Sequence, residues 1–187
     1  MKISVIILCA GVSRRMGLDK SLLDFGNLKS IEIILKKIKE VGFSQTIIVA
    51  GKNIKNIQKY TKNENFAINK NHELRSLSIK KGLNLIHPEN GCLIWPVDYP
   101  LVEKKTLIQL KENYESNMVV SPSFNKKGGH PILIGSKLLK SLAKINSKEP
   151  LKRWVKKQKR KILKTSDEWI NYEMNTKKEY TKAKKLI

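Results

Sequence analysis

The sequence IILCAGVSRRMGLDK, Ile6 to Lys20, joins an apolar run to a polar loop. The run itself begins at Ile3 and is β-branched and continuously apolar, which predicts a buried strand. After Ala10 the chain becomes polar, and Gly11 and Gly17 lack the Cβ that would keep a ligand away from the backbone. We therefore predict a strand that delivers a tight loop to one edge of a sheet.

The loop is suited to binding a triphosphate. Successive backbone N–H groups in such a turn form an anion-binding concavity. Arg14, Arg15 and Lys20 add positive charge, and an arginine can bind a phosphate through two parallel hydrogen bonds. The loop is not a P-loop, because Leu18 follows Gly17 where that motif requires lysine, and it also lacks the G-x-G-x-x-G pattern of dinucleotide-binding folds.

The pattern A-G-x-S-x-R-M-G-x-x-K is present from Ala10 to Lys20. It resembles the signature of MobA-like NTP transferases, in particular those related to molybdenum cofactor cytidylyltransferase. The resemblance implies that Arg15 and Lys20 hold the triphosphate during catalysis. It also implies a nucleotide-binding role for the rest of the loop, namely Ala10, Gly11, Ser13, Arg14 and Gly17. The alternative is a basic surface turn after a first strand.

Strands and helices are predicted to alternate after the loop. Apolar runs predict strands at 46–50, 66–68, 91–95 and 118–121, and apolar positions three and four apart predict helices at 30–41, 74–86 and 104–114, with a polar helix ending near residue 60. Ser30 is expected to cap the first helix and Gly42 to end it. This alternation predicts an α/β fold with a mostly parallel sheet covered on both faces. The family resemblance implies a three-layer, Rossmann-like sheet of the nucleotidyltransferase type.

The rhythm changes after residue 121, where Pro122, Gly128, Gly129 and Pro131 interrupt it. Beyond them we expect a short strand at 132–134, helices at 138–145 and 151–157, a last strand or turn beginning at 162–163 and an extended stretch at 169–174. A closing helix at 177–186 would be capped by Thr176. No linker or repeat divides the chain, so we expect one nucleotidyltransferase domain over residues 1–187.

Asp98 follows the fourth long strand, within the segment Pro96-Val97-Asp98-Tyr99-Pro100. The carboxyl ends of parallel strands meet at one rim, so Asp98 should lie near the glycine loop. Magnesium prefers hard oxygen ligands and usually shares them with substrate phosphates, which makes Asp98 a candidate Mg²⁺ ligand. The segment also resembles the family's P-x-D-x-P-L-V motif, whose Asp binds the metal. The alternative is an Asp that caps the next helix.

Three further segments gain their interpretation from the resemblance. Asn175 resembles the second metal contact of the family's D/N-T-P-E-D segment, although Lys177 replaces its proline. Gly129, His130 and Pro131 resemble the G-H-P-x-L segment beside the acceptor, where His130 would position the acceptor and not act as a base, because a phosphate acceptor is already anionic. Ser76 resembles a residue near the nucleobase and ribose. The alternatives are a chain turn, a structural histidine and a helix cap, respectively.

The formal net charge of +22 invites a nucleic-acid interpretation. Only five of the 38 basic residues are arginine, and the lysines are spread along the chain with abundant Asn and Ile. This composition is typical of an AT-rich genome, so we expect no specific nucleic-acid partner. One dense basic block, residues 152–164, is either a solvated helix face or a guide for a phosphorylated acceptor.

The sequence also predicts a compartment. No apolar run is long enough to span a bilayer, so no membrane partner is expected, and the N-terminal run leads directly into the glycine loop without a signal-peptide cleavage site. Cys9 and Cys92 fall in predicted buried strands and lack metal-binding spacing, which predicts reduced core thiols. We therefore expect a cytoplasmic protein.

The resemblance implies an Mg²⁺-dependent enzyme that transfers CMP from CTP to a phosphorylated acceptor, molybdopterin, and releases pyrophosphate. It also implies molybdoenzyme maturation proteins as partners. The order Cys9-Ala10-Gly11 favours CTP, because guanylyltransferases more often have two glycines there. The alternatives are a guanylyltransferase of molybdenum cofactor, a cytidylyltransferase for a sugar or polyol phosphate, a basic nucleic-acid-binding protein and a catalytically inactive relative.

Overall fold

The computed structural model describes residues 2–11, 16–71 and 74–185. The predicted positions Ser13, Arg14 and Arg15 and the end of the closing helix lie outside these residues. The strands are β1 Ile3–Leu8, β2 Asp24–Phe25, β3 Leu28–Lys29, β4 Gln45–Ala50, β5 Asn65–Ile68, β6 Gly91–Pro96, β7 Val119–Phe124, β8 Lys127–Gly128, β9 Ile132–Ile134 and β10 Arg160–Lys164. The helices are α1 Ser30–Val41, α2 Ile54–Gln58, α3 Arg75–Leu83, α4 Lys104–Glu112, α5 Ser136–Ala143, α6 Leu151–Lys156 and α7 Lys177–Lys184.

The main sheet has the strand order β10-β7-β9-β6-β1-β4-β5, with β8 added to β7. Neighbouring strands are parallel except at β9, which is antiparallel to both β6 and β7, and at β8, which is antiparallel to β7. Strands β1, β6 and β7 therefore point the same way. The predicted mostly parallel sheet is confirmed.

Helices cover both faces of this sheet, because side chains alternate between faces along each strand. Val5 and Ile7 of β1 pack with α1, α2 and α4 in one core cluster. Ile6 and Leu8 pack with α3, α5 and Trp154 of α6 in the other. Both faces of β1 are thus buried, which explains its continuous apolar sequence. No helix in the described ranges is long and apolar enough to cross a membrane.

Helix α1 has the predicted bounds, but its first turn is held differently from the prediction. Gly42 ends the helix in the left-handed conformation at φ 73°, as glycine allows. Ser30 is the first helical residue and not its cap, and its buried Oγ has no hydrogen-bond partner within the described part of the chain. Instead, the Glu32 carboxylate accepts a hydrogen bond from the Lys29 N–H at 2.8 Å.

Pro122 does not end β7, which was predicted at 118–121 but continues to Phe124. The Val119 N–H donates to Lys159 on the β10 side, whereas the Pro122 carbonyl accepts from Gly129 on the opposite side. The missing proline N–H therefore faces away from β10, at a position beyond the last residue that β9 pairs with. A proline is tolerated there because the ladder needs no donor from it.

The expected extended stretch at 169–174 begins instead as a short 3-10 turn, Glu168–Asn171. The buried Asp167 carboxylate accepts the Trp169 N–H at 3.0 Å and so starts the turn. The same carboxylate accepts the Glu103 N–H at 2.8 Å and the Thr106 hydroxyl at 2.7 Å, both at the start of α4. One buried side chain thus joins α4 to the turn.

The turn supports the segment that precedes β9. The His130 N–H donates to the Ile170 carbonyl at 2.9 Å. A Cβ on Gly129 would overlap this carbonyl, whereas a Cβ on Gly128 would come no closer than 4.0 Å to a neighbouring atom. Only glycine therefore fits at residue 129.

We expect Gly129→Ala to lower the free energy of unfolding by about 1–3 kcal/mol, because it forces backbone apart in a packed region. Gly128→Ala is the matched control and should change it by less than about 0.5 kcal/mol. Urea denaturation of both variants checks the prediction. Equal stability of the two variants would contradict the close approach at Gly129.

Candidate active site

A cavity of about 340 Å³ opens at the carboxyl ends of β1 and β6. Parallel strands bring their following loops to the same rim, so this is where ligands bind in such sheets. The glycine loop after β1 forms one side, and the turn after β6 forms another. The described lining residues are Leu8, Cys9, Ala10, Gly11, Asp19, Lys20, Arg75, Ser78, Pro96, Val97, Asp98, Glu173 and Asn175.

Within this cavity, Lys20 at the end of the glycine loop contacts two side chains that are distant in sequence, Asp98 and Asn175. Its Nζ donates to Asn175 Oδ1 at 2.5 Å and lies 3.4 Å from Asp98 Oδ2. The Lys20 side chain is 15% exposed and the Asp98 side chain 7%. The ion pair is therefore only weakly screened by water, and a positive and a negative group are held side by side at the rim.

Asp98 has one unused oxygen. Its Oδ1 is buried and has no hydrogen-bond partner among the described residues. Leaving a buried charged oxygen unpaired is costly, so an unpaired one in a cavity indicates a missing ligand. The Asp98 carboxylate thus has the chemistry of a cation ligand.

The turn that carries Asp98 is tied down from two sides. The Trp95 indole Nε1 donates to the Tyr99 carbonyl at 3.0 Å. The Lys37 Nζ of α1 donates to the Pro100 and Val102 carbonyls at 2.9 and 2.8 Å. Burial lowers the pKa of Lys37 to about 8, although nearby carboxylates, Asp167 foremost, act to raise it. These contacts fix the backbone on which Asp98 stands.

Asn175 is held by the start of α7. The Glu179 carboxylate accepts the Asn175 and Thr176 N–H groups, each at 2.8 Å. Burial acts to raise the pKa of Glu179, but these hydrogen bonds and the Lys20 charge lower it. The preceding residue, Met174, donates its N–H to the Asp98 carbonyl at 3.2 Å. The predicted Thr176 cap is confirmed, and it fixes the backbone beside Asn175.

Asp19 and Asn53 are cavity-edge residues that sequence reasoning did not single out. The Asp19 carboxylate accepts the Ser21 N–H at 3.0 Å and the Asn53 amide at 2.9 Å. Asn53 also donates to the Cys9 carbonyl at 3.1 Å. The only sequence signal was that Asp19 directly precedes Lys20 and that Asn53 comes shortly after the end of β4 at Ala50. Together they tie both ends of the glycine loop to the turn after β4.

Several predicted residues line the cavity, and others do not. Ala10, Gly11, Lys20, Asp98 and Asn175 line it. Gly17, in the left-handed conformation at φ 67°, is a described residue outside the lining. Ser76 is also outside it, because its hydroxyl hydrogen-bonds to the Glu149 carbonyl; its neighbours Arg75 and Ser78 contact the cavity instead.

The Gly129-His130-Pro131 segment lies beside the cavity without lining it. The His130 ring centroid is 5.0 Å from that of Tyr99, the residue after Asp98. The His130 Nδ1 atom is buried and lacks a hydrogen-bond partner within the described ranges. The segment therefore contacts the Asp98 turn through one aromatic pair.

Both cysteines are buried free thiols, as expected. Burial raises the pKa of Cys9 and of Cys92, and the nearby Asp19 and Asp98 raise that of Cys9 further. A thiol with a raised pKa is a poor nucleophile and metal ligand. The Cys9 thiol, although it lines the cavity, is thus an unreactive part of the wall.

The cavity does not contain a complete protein-only metal site. In residues 2–11, 16–71 and 74–185, no three His, Cys, Asp or Glu side chains are grouped to bind a metal ion. Magnesium does not require such a group, because it is commonly bound by one or two carboxylates together with substrate phosphates and water. The Asp98 oxygen that has no partner among the described residues, in a cavity that Asn175 also lines, fits that mode of binding.

Comparison with known proteins places this geometry in context. A curated relative, described as a probable molybdenum cofactor guanylyltransferase of Natranaerobius thermophilus, is 44% identical over 48 residues. The match takes in 26% of this chain and only 23% of that relative.

Solved structures resemble the whole fold. Rv0371c of Mycobacterium tuberculosis H37Rv aligns over 100% of both chains with a TM-score of 0.87 at 19% identity. Its complex with manganese aligns over the same extent with a TM-score of 0.85 at 18% identity. A nucleotidyl transferase from Methanothermobacter thermautotroptrophicus aligns over 99% of this chain and 97% of its own, with a TM-score of 0.85 at 18% identity.

The family itself is shown by sequence. The model of the MobA-like NTP transferase domain matches residues 5–162, which run from β1 through the basic strand β10 and include the glycine loop and Asp98. The expected family resemblance is thereby confirmed, and this chain belongs to the MobA-like NTP transferase family.

Proposed function

We propose that this chain transfers a nucleoside monophosphate from a nucleoside triphosphate to a phosphorylated acceptor and releases pyrophosphate. The supporting observation is the buried Asp98 carboxylate at the rim that carries the glycine loop: one of its oxygens has no hydrogen-bond partner among the described residues, and the other lies next to the Lys20 ammonium. A phosphate chain presents negative oxygens that require both a fixed cation and a bridging divalent ion.

Lys20 and the glycine loop would bind the triphosphate. The space beside Gly11 is open, because no described neighbouring atom lies within 4 Å of where its Cβ would be, and this leaves room for a phosphate next to the backbone. The Lys20 Nζ would stabilise the pyrophosphate as negative charge develops on it. Positioning and charge stabilisation supply most of the catalysis in such reactions, so no covalent intermediate is required.

Asp98 and Asn175 would hold the divalent ion. When bound, Mg²⁺ would supply positive charge that offsets the negative charge of the phosphates. Asp98 contributes the negative charge, and Asn175 contributes a neutral amide oxygen. The manganese complex of Rv0371c supports a divalent ion in this fold.

The Gly129-His130-Pro131 segment would position the acceptor. Burial, together with the positive charge of Arg75, lowers the pKa of His130 to about 4, although Glu173 acts to raise it. The imidazole is therefore neutral near pH 7 and is a weak base. An acceptor phosphate is already ionised at that pH, so positioning by His130 is sufficient.

Two donors are candidates. The loop order Cys9-Ala10-Gly11 favours CTP, and we propose CTP with molybdopterin as the acceptor. The curated guanylyltransferase relative favours GTP as the second candidate. A sugar or polyol phosphate in place of molybdopterin would use the same phosphate chemistry.

We expect Asp98→Asn to lower turnover by about 100-fold or more, because it removes the negative charge of the proposed ion ligand while keeping the side-chain shape. Asn175→Ala should lower turnover less, since the amide carries no charge. Pyrophosphate release, measured for both variants across a magnesium titration, checks the order.

Excess magnesium should partly restore Asn175→Ala and have little effect on Asp98→Asn. Unchanged melting temperatures would show that both variants are folded. Near-normal turnover of Asp98→Asn at low magnesium would disprove the ion site. Equal loss of turnover in the two variants would show that the charge of Asp98 is not what matters.

We expect CTP with Mg²⁺ to raise the melting temperature more than GTP, UTP or ATP does. A ligand at about 100 times its Kd adds about 2.7 kcal/mol to the free energy of unfolding, which corresponds to roughly 5–10 °C for a chain of this size. Differential scanning fluorimetry with the four nucleotides tests this. A larger shift with GTP would replace CTP by GTP as donor and leave the reaction class unchanged.

We expect the free energy of unfolding to fall as pH drops from about 6.5 to about 4, in part through His130. The unfolded chain protonates this imidazole near pH 6.5, but the folded chain resists until about pH 4, so the unfolded state binds more protons in that window. His130→Gln should flatten this slope, whereas His87→Gln, at an exposed position, should not. Urea denaturation between about pH 4 and 7 gives the slopes, and identical slopes for wild type and His130→Gln would contradict the assignment.

A further inference from the structure

Residues 152–164 form a basic edge at one end of the sheet, made of α6 and β10. The segment contains no Asp or Glu. Within the described part of the chain, Lys157 pairs with Glu149 and Lys161 with Glu115. The other six basic residues of the segment are exposed and have no ion pair among described residues: Lys152, Arg153, Lys156, Lys159, Arg160 and Lys164.

The arginines of the chain are not distributed as the lysines are. Arg14, Arg15 and Arg75 belong to the glycine loop or the cavity, and the remaining two, Arg153 and Arg160, lie in the basic edge. Arginine binds carboxylates and phosphates through paired hydrogen bonds, which lysine cannot do.

Strand β10 ends the sheet and leaves one row of backbone groups unpaired. It pairs with β7 alone among the described strands. The Lys159 carbonyl accepts from Val119, and the Thr165 N–H donates to Ser123, so the odd-numbered residues between them face β7. Consecutive residues alternate in direction, and the N–H and C=O groups of the even-numbered residues therefore point to the open edge.

The exposed side chains of β10 share one face. Arg160, Ile162 and Lys164 are all exposed, and Ile162 is 57% exposed, the highest value among the large apolar side chains described. The opposite end of the sheet is β5, where Ile68 is 50% exposed but its strand neighbours Asn65 and Phe66 are uncharged. Only the β10 end thus combines an open backbone, an apolar side chain and flanking cations.

We propose that β10 binds an acidic, extended segment of a partner protein by strand addition. The segment would pair its backbone with the N–H and C=O groups of Arg160, Ile162 and Lys164. Because these three side chains share a face, the segment should place acidic, apolar and acidic residues at alternate positions. Its carboxylates would lie near the two cations, and its apolar side chain would cover Ile162.

A polypeptide fits this edge better than a nucleic acid. Binding of single strands without base pairing uses exposed aromatic side chains as stacking surfaces. The aromatic residue of the basic edge, Trp154, is 6% exposed and packs in the core. The open row of backbone groups pairs directly with another peptide backbone, and nucleic acid has no equivalent row.

The test uses a fluorescent peptide of about ten residues in which Glu and Val alternate at every second position with Thr between them (Glu-Thr-Val-Thr-Glu-Thr-Val-Thr-Glu), so that the Glu and Val side chains share one strand face. Fluorescence anisotropy at physiological salt should give a Kd of roughly 10 µM. Arg160→Glu with Lys164→Glu should weaken binding at least tenfold. The matched control, Lys55→Glu with Lys59→Glu, changes the net charge equally at exposed positions in and after α2 and should leave the Kd within about twofold.

Two further measurements separate strand addition from charge attraction. The same peptide N-methylated throughout keeps its charge but cannot pair its backbone, so it should bind at least tenfold more weakly. Ile162→Thr, which keeps the strand, should weaken binding of the unmodified peptide about fivefold. Undiminished binding of the methylated peptide, equal effects of the two double variants, or tighter binding of a single-stranded oligonucleotide of the same charge would overturn the proposal.

Discussion

The pairing of β1 with β6 is the constraint on which the candidate site depends. Leu8 lies opposite Pro96, the last residue of β6. The pairing of the two strands ends one residue later, where the Val97 N–H donates to the Leu8 carbonyl at 3.2 Å. Gly11 and Asp98 then follow at the same rim. A shift of this register would turn alternate side chains to the other face of the sheet and separate the loop from the carboxylate.

The remaining parts of the site are added from distant sequence. The Met174 N–H donates to the Asp98 carbonyl, and the Lys20 ammonium donates to the Asn175 side-chain oxygen. These two hydrogen bonds join the segment before α7 to the turn after β6 and to the glycine loop. Asp167 holds the 3-10 turn that precedes Met174, and the Ile170 carbonyl of this turn accepts the N–H of His130, next to Gly129. The Gly129-His130-Pro131 segment and the Asp98 side of the cavity are therefore parts of one hydrogen-bonded structure.

The positive charge of the protein has different meanings in different places. At the cavity, Lys20 and Arg75 lie among Asp19, Asp98 and Glu173, so the site is mixed in sign and suited to a phosphate chain with its divalent ion. At the basic edge, residues 152–164 include no acidic residue.

Several elements could be predicted from local sequence pattern. The apolar run of β1, the helical spacing of α1 and the stop at Gly42 were predictable because periodicity and glycine conformation are properties of short segments. The alternation of strands and helices also predicted that Gly11 and Asp98 meet, since parallel strands share a rim.

The roles of several other residues could not be predicted, because they depend on contacts between distant parts of the chain. Pro122 stays within β7 because its missing N–H faces a gap in the ladder, which no local pattern reveals. Ser76 turns to the Glu149 carbonyl and leaves the cavity to Arg75 and Ser78. Asp19, in the loop after β1, and Asn53, in the turn after β4, are joined by a side-chain hydrogen bond. A side chain's role is set by partners tens of residues away, and their positions follow from the packing of the whole sheet.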